Sequence, residues 1–394
     1  MKPFIIAWAC HIAVMVLIGL VLMPSSDFSR LDFHCFYAAG FLARTHPAQI
    51  YDVAQQMRAQ LGPAKAAGWA PFIQPPYEAL LFVPFSFAPY RVAYLLFLLF
   101  NLVLILPCFL LARSAFSCVL EPWQPRPGLM FFLFLPLSVA ALDGQGSIRV
   151  LLICCAAWHE MKRDQDFNVG LLLALALFKL QIAIPLALLL ILRRGVRMLG
   201  GFTLGAILLA AVSAWLVGIG GMQAFAKTLV LNSLIKDQSA AAQMAMTHYP
   251  SGMPNLRGLV YSSGGRYLPH SWLLAITLAI SIAVALWVIH LMRRQQDEGT
   301  AFAVAILGTL LLSYHLNFYD LTPLLLPLAL LTGQRGKHFH IIAASCFVFP
   351  VLLVSFALQA GFVMSIPLLG LLLLIAREDI LDDQSQLTQA AATR

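Results

Sequence analysis

The sequence predicts an all-α protein that crosses a lipid bilayer many times. Of its 394 residues, 61% are hydrophobic and only 11% are charged, where a soluble chain carries about 25% charged residues. Its mean hydropathy is +0.84, and apolar runs recur from one end to the other. The 25 Lys and Arg residues stand in ones to threes between those runs. Their spacing is therefore a topology signal, and the net charge of +8 does not mark a nucleic-acid surface. Disordered, collagen-like, coiled-coil and soluble-enzyme classes fall on the same figures.

A run of roughly 18 to 25 apolar residues spans a bilayer unaided, and shorter runs must pair or sit inside protein. In chain order, spans are expected near residues 4–23, 90–112, 128–142, 148–161, 168–178, 180–192, 199–219, 271–292, 300–314, 320–333, 339–357 and 361–377. They form a bundle of about 12 transmembrane helices in a single integral membrane domain, 1–394. The first run follows only Lys2 and lacks a small-residue cleavage site, since Val21-Leu22-Met23-Pro24 ends it. It is expected to stay as a helix, with the mature chain starting at Met1.

With both ends in the cytoplasm, fourteen of the 25 basic residues fall on the inner side, among them Arg113, Arg126, Lys162, Arg163, Arg193, Arg194, Arg197, Arg293, Arg294, Arg335 and Lys337. That density in short loops is what the positive-inside rule requires. A tail at 378–394 then lies in the cytoplasm. Seven cysteines sit mostly inside apolar segments without C-x-x-C pairs, so neither a disulfide framework nor a zinc site is expected.

Two long outer loops, 24–89 and 221–270, hold most of the remaining content. In the first, Ile50, Val53, Ala54, Met57 and Leu61 form one apolar stripe on a helix too polar to cross, so an amphipathic helix lying in the interface is predicted. Asp52 with Gln55 reads as its capping box. The stretch 75–87 is short and proline-bounded, and is expected to dip into the outer leaflet.

Seven carboxylates face outward on this topology: Asp27, Asp32, Asp52, Glu78, Asp143, Asp237 and Asp320. Asp32 opens Asp32-Phe33-His34-Cys35-Phe36-Tyr37. It can cap a helix starting at Phe33, and among aromatic neighbours it would also be desolvated toward the basicity of a general base. A second cluster, Ser313-Tyr314-His315-Leu316-Asn317-Phe318-Tyr319-Asp320, makes a very short outer turn; His315 and Asp320 either cap two helix ends and pair, or face a polar cavity. Gly144-Gln145-Gly146-Ser147 closes another outer turn. Lys179 and Gln181 sit at the tip of a hairpin of two short helices, where the lysine could simply snorkel. Arg257 and Arg266 in the second loop are either solvated or clamps for an anionic ligand.

Taken together, these fragments resemble bacterial glycosyltransferase family 87, membrane enzymes of the GT-C class. The matching features are Asp32-Phe33, Phe36-Tyr37 and Ala39-Gly40, then Tyr51-Asp52, Pro75-Pro76 and Leu80-Leu81-Phe82-Val83-Pro84. Gly144-Gln145, Lys179 with Gln181, Arg193-Arg194, and His315 with Tyr319-Asp320-Leu321 follow. The likeness runs from about Asp32 to Leu331, and its order and spacing carry it. Gln74 stands where an aromatic usually precedes Pro-Pro, Leu180 replaces a proline, and Ser147 an Asn or Gly.

The resemblance implies a GT-C-like bundle in the bacterial inner membrane, with the active site on the periplasmic or external face. It implies transfer of a hexose, mannose foremost, from a polyprenyl-phosphate sugar to a glycan or glycolipid acceptor, with inversion and with Asp32 as base. His315 would share the catalytic site; Lys179, Gln181, Gln145, Arg257, Arg266, Tyr37, Tyr319 and Asp320 would bind substrate. The cations would meet the charge of the departing lipid phosphate. Besides these substrates and membrane lipid, no nucleic acid, cofactor or metal is expected. The competing expectations are a secondary transporter, which would place ionisable groups near the midplane of symmetric repeats, and a non-catalytic membrane assembly factor.

Overall fold

The computed structural model describes residues 2–22, 32–64, 69–117, 127–234, 250–332, 337–356 and 358–392. Asp27, Asp237, Arg126, Arg335 and Arg394, and the adjoining parts of both outer loops, lie outside the described residues. Every regular element among the described residues is helical.

The helices are α1 (Lys2–Leu22), α2 (Phe33–Thr45), α3 (Val53–Leu61), α4 (Pro76–Phe82), α5 (Tyr90–Val103), α6 (Ile105–Ser117), α7 (Pro127–Leu133), α8 (Leu135–Leu142) and α9 (Ser147–Met161). They continue with α10 (Asp166–Leu175), α11 (Leu180–Arg194), α12 (Val196–Leu234), α13 (Leu256–Gly264), α14 (His270–Arg294), α15 (Glu298–Leu312), α16 (Leu325–Thr332), α17 (Lys337–Phe356) and α18 (Ser365–Ala392).

Among the described residues, six segments are by length and composition apolar enough to cross a membrane: Phe4–Val21, Tyr90–Arg113, Asp166–Arg194, Val196–Leu229, His270–Arg294 and Ala360–Glu378. Other spans of the expected bundle of about twelve fall on shorter apolar helices, such as Glu298–Leu312, Phe318–Leu331 and His338–Val351. Some of these are enclosed by protein. The clearest is α15, whose residues from Gly299 to Leu311 are all buried, so it is apolar on every side because it sits at the centre of the bundle.

The segment Asp166–Arg194 doubles back on itself. Helix α10 rises to a 3₁₀ turn at Ala176–Lys179, and α11 descends until Arg194 returns to Asp164 and Asp166 at its foot, at 3.3 and 3.7 Å. Lys179 is thereby placed at the tip of a hairpin. The 15 residues of α11 rise about 22 Å, less than the roughly 30 Å of bilayer hydrocarbon. Helix α12 runs beside α10 at backbone contact: a Cβ on Gly201 would lie 1.9 Å from the Phe167 carbonyl oxygen. Only glycine permits that approach.

An aromatic cluster fixes α2. Phe33 stacks on Phe97 at 5.1 Å and on Tyr90 at 5.8 Å, and Phe36 stacks on Phe82 at 5.0 Å. These rings bind α2 to α4 and α5, and they hold Asp32 at the edge of the cluster. Helix α3 is capped by Asp52, whose Oδ1 accepts from the Gln55 backbone N–H at 2.9 Å. Its polar face turns inward. Gln56 and Gln60 are buried and exchange hydrogen bonds with the backbone of Phe72 and Ala70, whereas Val53, Met57 and Leu61 are exposed.

Candidate functional site

Four chain segments meet at the tip of the α10–α11 hairpin: the start of α2, the turn between α8 and α9, the hairpin tip itself and the turn after α15. Each contributes polar side chains to one closed ring of hydrogen bonds.

Asp32 is the first residue of the α2 segment. Its backbone is already helical, with φ −62° and ψ −17°, and its side chain makes no cap hydrogen bond. Only its carbonyl serves the helix, accepting from the Cys35 N–H at 3.1 Å. The carboxylate is thus turned away from the cap role. Its Oδ2 accepts from Gln145 Nε2 at 2.6 Å and from the Tyr319 hydroxyl at 3.2 Å. Asn317 Nδ2 donates to the same tyrosine oxygen at 2.6 Å, which directs the phenol proton at Asp32. The residue is partly exposed, and Oδ1 has no protein donor among the described residues.

The α8–α9 turn owes its shape to Gly144, whose φ is +69° and whose Cβ, if present, would press to 2.7 Å from Phe33. Glycine satisfies both demands. The turn is therefore seated on the residue next to Asp32, and this brings Gln145 into reach. Asp143 stands in the same turn. Burial pushes its carboxyl up to about 7, and the negative charge of Asp32 adds to the shift.

Lys179 is only 6% exposed. It donates to Asp320 Oδ1, to Ser147 Oγ at 2.9 Å and to Gln145 Oε1 at 3.5 Å, so all three of its N–H groups are engaged. Asp320 is 1% exposed; it also accepts from Ser147 Oγ at 3.0 Å and from the Asn317 backbone N–H at 3.0 Å. Both oxygens of this buried carboxylate are thus held by donors, as a buried ion pair requires. The ring closes as Asp32, Gln145, Lys179, Asp320, Asn317 and Tyr319. Lys179 also lies 4.9 Å from the Tyr319 ring centre.

A second buried ion pair flanks the tip. Arg149 binds both carboxylate oxygens of Glu78, at 3.0 and 2.5 Å, and lies 4.3 Å over the ring of Phe178, the neighbour of Lys179. Sequence reasoning misses Ser147, Asn317 and Arg149 as site residues, and it reaches Asp143 only as one of the seven outward carboxylates. Arg149 did carry a signal, being a lone cation three residues into an apolar run.

The other sequence-derived candidates take different places. Tyr37 is buried and donates to the Ala88 carbonyl at 2.9 Å, tying α2 to the chain before α5. Gln181 accepts through its backbone carbonyl from Ser313 Oγ at 2.7 Å, which locks the hairpin to the end of α15. His315 is partly exposed in the turn that carries Asn317 and Tyr319. Arg257 lies 4.0 Å over the Tyr314 ring and donates to the Tyr314 carbonyl at 3.3 Å, so it is joined to that same turn. Its Nε is buried without an acceptor among the described residues. Arg266 is exposed beyond the end of α13. Among the described residues no three His, Cys, Asp or Glu side chains are grouped to hold a metal ion.

This arrangement can do one kind of chemistry directly. It offers a partly exposed carboxylate with one oxygen oriented by two donors and the other without a donor among the described residues, beside a buried ion pair, with the partly exposed guanidinium of Arg257 joined to the turn that carries Asn317 and Tyr319. A base and an anion-facing cation are the parts needed to take a proton from one group while another departs with negative charge.

The model of glycosyltransferase family 87 matches residues 72–313, which is more than half of the chain. The matched stretch contains Gln145, Lys179, Gln181, Arg257 and Arg266. It begins after Asp32 and ends before His315, Tyr319 and Asp320, yet the fold returns Asp32, Tyr319 and Asp320 to Gln145 and Lys179. No curated protein and no solved structure matches the chain.

Proposed function

This chain belongs to glycosyltransferase family 87 and is a multi-pass membrane glycosyltransferase, and on that premise we propose that it moves a hexose, mannose foremost, from a polyprenyl-phosphate sugar to a glycan or glycolipid acceptor, with Asp32 as the general base. The observation that carries the proposal is the Oδ1 of Asp32, which has no donor among the described residues, opposite an Oδ2 held by Gln145 and Tyr319. A carboxylate that is oriented but not consumed is what proton removal from an acceptor hydroxyl requires.

In this reaction the acceptor oxygen forms a bond to the anomeric carbon as the bond from that carbon to the phosphate oxygen breaks. The electron pair leaves with the polyprenyl phosphate, and the acceptor proton passes to Asp32 Oδ1. Attack from the face opposite the phosphate inverts the anomeric centre through an oxocarbenium-like state. Lys179 has no N–H left for a phosphate, so its part is to hold Gln145 and Asp320 in place. Arg257 is then the cation first in line for the phosphate, and Arg266 the second. His315, on the turn between them and Asp320, is expected to border the acceptor.

The orientation follows from charge. Lys162, Arg163, Arg193, Arg194, Arg197 and Arg293 gather at the end of the bundle opposite Asp32, which supports a cytoplasmic foot and an outward-facing site in a bacterial inner membrane. The exposed Val53, Met57 and Leu61 of α3, at the site end, suit a helix lying in the outer interface. The short α10–α11 hairpin would keep the site recessed near the lipid headgroups, where a lipid-borne donor presents its sugar.

The test is transfer by the purified protein from synthetic polyprenyl-phosphate mannose, glucose and galactose, with Asp32→Asn alongside. The mutant is expected to lose transfer by at least 100-fold while α2 stays folded, because the side chain caps nothing. Normal turnover in a normally folded Asp32→Asn protein would remove the base assignment.

A further inference from the structure

At the end of the bundle opposite Asp32, the inner termini of α10, α11, α14 and α15 border an open surface cleft of about 680 Å³ lined by Asp166, Leu192, Arg193, Arg194, Arg293 and Glu298. Arg193 is fully committed there. It donates to the carbonyls of Met292 and Gln295 at 2.5 and 2.9 Å and to Glu298 at 2.8 Å. Arg194 reaches Asp164 at 3.3 Å and Glu298 at 3.2 Å. Its Nε stands 3.7 Å from Asp166 Oδ1, an ion pair beyond hydrogen-bond reach, and both atoms are buried without a hydrogen-bond partner among the described residues. Arg293 is exposed and makes no hydrogen bond or ion pair among the described residues.

Arginines at helix C-termini offset the helix dipole and mark the cytoplasmic side, which accounts for Arg193 and Arg194. It does not account for an unpaired guanidinium, an orphaned Arg194 N–H and an open cleft in one place. The two lining carboxylates already face Arg193 and Arg194, so of the three lining arginines Arg293 is the one without an ion pair among the described residues. What would complete the cleft is an anionic group with several oxygens, for which arginine forks are the natural receptors.

The surroundings indicate how that group arrives. Leu192 lines the cleft and is itself exposed, and exposed Leu188 and Ile184 continue from it along one face of α11 at four-residue steps. A polar cleft that opens onto an apolar track about 12 Å long matches a headgroup with an acyl chain. We propose that this cleft binds the phosphate of an anionic phospholipid, with Arg293 as the principal contact and Ile184, Leu188 and Leu192 under one acyl chain. In the orientation proposed above, this is a lipid of the inner leaflet.

The experiment uses the full chain in a neutral detergent. Phosphatidylglycerol, phosphatidylcholine and inorganic phosphate are titrated in turn, with apparent Tm and native mass spectrometry as readouts. Phosphatidylglycerol is expected to raise Tm saturably and to stay bound as one copy, while the other two leave Tm unchanged. Arg293→Gln should shift the midpoint at least tenfold upward, and Arg293→Lys should fall close to wild type. Arg197→Gln, which removes an exposed charge that does not line the cleft, should bind as wild type does. Equal response in Arg293→Gln, loss in Arg197→Gln to the same degree, or a response to inorganic phosphate without phosphatidylglycerol would each overturn the proposal. None of these readouts involves sugar transfer, so failure here leaves the catalytic reading untouched, and the reverse holds too.

Discussion

Asp32 and Lys179 hold opposite ends of one amide: Gln145 donates its Nε2 to Asp32 Oδ2 at 2.6 Å and accepts from Lys179 Nζ on its Oε1 at 3.5 Å. The ammonium fixes which way the amide points, because only an oxygen can face it. The NH₂ is then aimed at Asp32, and the carboxylate is oriented without being neutralised. A buried charge one amide away from Asp32 thus sets the orientation of the candidate base.

Gln145→Glu should expose this relation. Its carboxylate would still satisfy Lys179, but it would present an acceptor where Asp32 now finds a donor. A second negative charge beside Asp32 raises that residue's proton affinity, so the acid limb of the pH–rate profile is expected to move to higher pH. Transfer at neutral pH should fall at least tenfold. An unshifted limb, measured as kcat/KM across pH 5–9, would mean that the amide does not orient the base.

The buried Lys179–Asp320 pair should govern stability more than substrate affinity. Removing one partner of such a pair leaves an uncompensated charge and costs about 3–5 kcal/mol, whereas removing both costs much less. Lys179→Met and Asp320→Asn are each expected to lower apparent Tm steeply. The double mutant should recover much of the loss, although transfer stays impaired because Gln145 is no longer held. Additive losses in the double mutant, read by fluorescence-monitored melting, would show that the two side chains act independently.

Local chemistry in the sequence foretold what depends on neighbours. The Asp52 cap on Gln55 is a contact over three residues, and Lys179 at a hairpin tip follows from two short apolar runs. The start of α2 at Phe33 was likewise legible. The destination of the Asp32 side chain was not, because its partners Gln145 and Tyr319 lie 113 and 287 residues away. The same is true of Lys179 and Asp320, 141 residues apart. Composition shows that a helix such as α15 must be out of water. It does not distinguish lipid from protein as the surroundings, so the expected count of about twelve spans exceeds the six segments that length and composition single out among the described residues.

Asp143 supplies a pH dependence. Its folded carboxyl titrates at about 7 because burial, and then the charge of Asp32, disfavour ionisation; in the unfolded chain it titrates near 4. Between those values the folded protein keeps a proton that the unfolded chain has released. Stability therefore falls as pH rises from about 4 to about 7 and levels off above. Asp143→Asn cannot ionise, so its apparent Tm should exceed wild type by several degrees at pH 8, with the gap shrinking toward pH 5. A gap that is constant with pH would assign the difference to packing.

Arg257 and Arg266 separate a built contact from a solvated charge. Arg257 is half-buried against Tyr314 and Tyr261, with one N–H unspent, and the Tyr314 carbonyl ties it to the turn that bears Tyr319 and Asp320. A guanidinium already stripped of part of its water makes a stronger charge-assisted contact, worth roughly 1.5 to 3 kcal/mol. That range converts to about 10-fold to 150-fold in affinity. Arg257→Gln should raise KM for the polyprenyl-phosphate donor within this range and leave KM for the acceptor near wild type, since the phosphate belongs to the donor alone. Arg266 is exposed, and Arg266→Gln should change donor KM by no more than about twofold, as screened surface charges do. If the two mutants show the reverse order, the phosphate sits against the end of α13 and the turn after α15 is left to the acceptor.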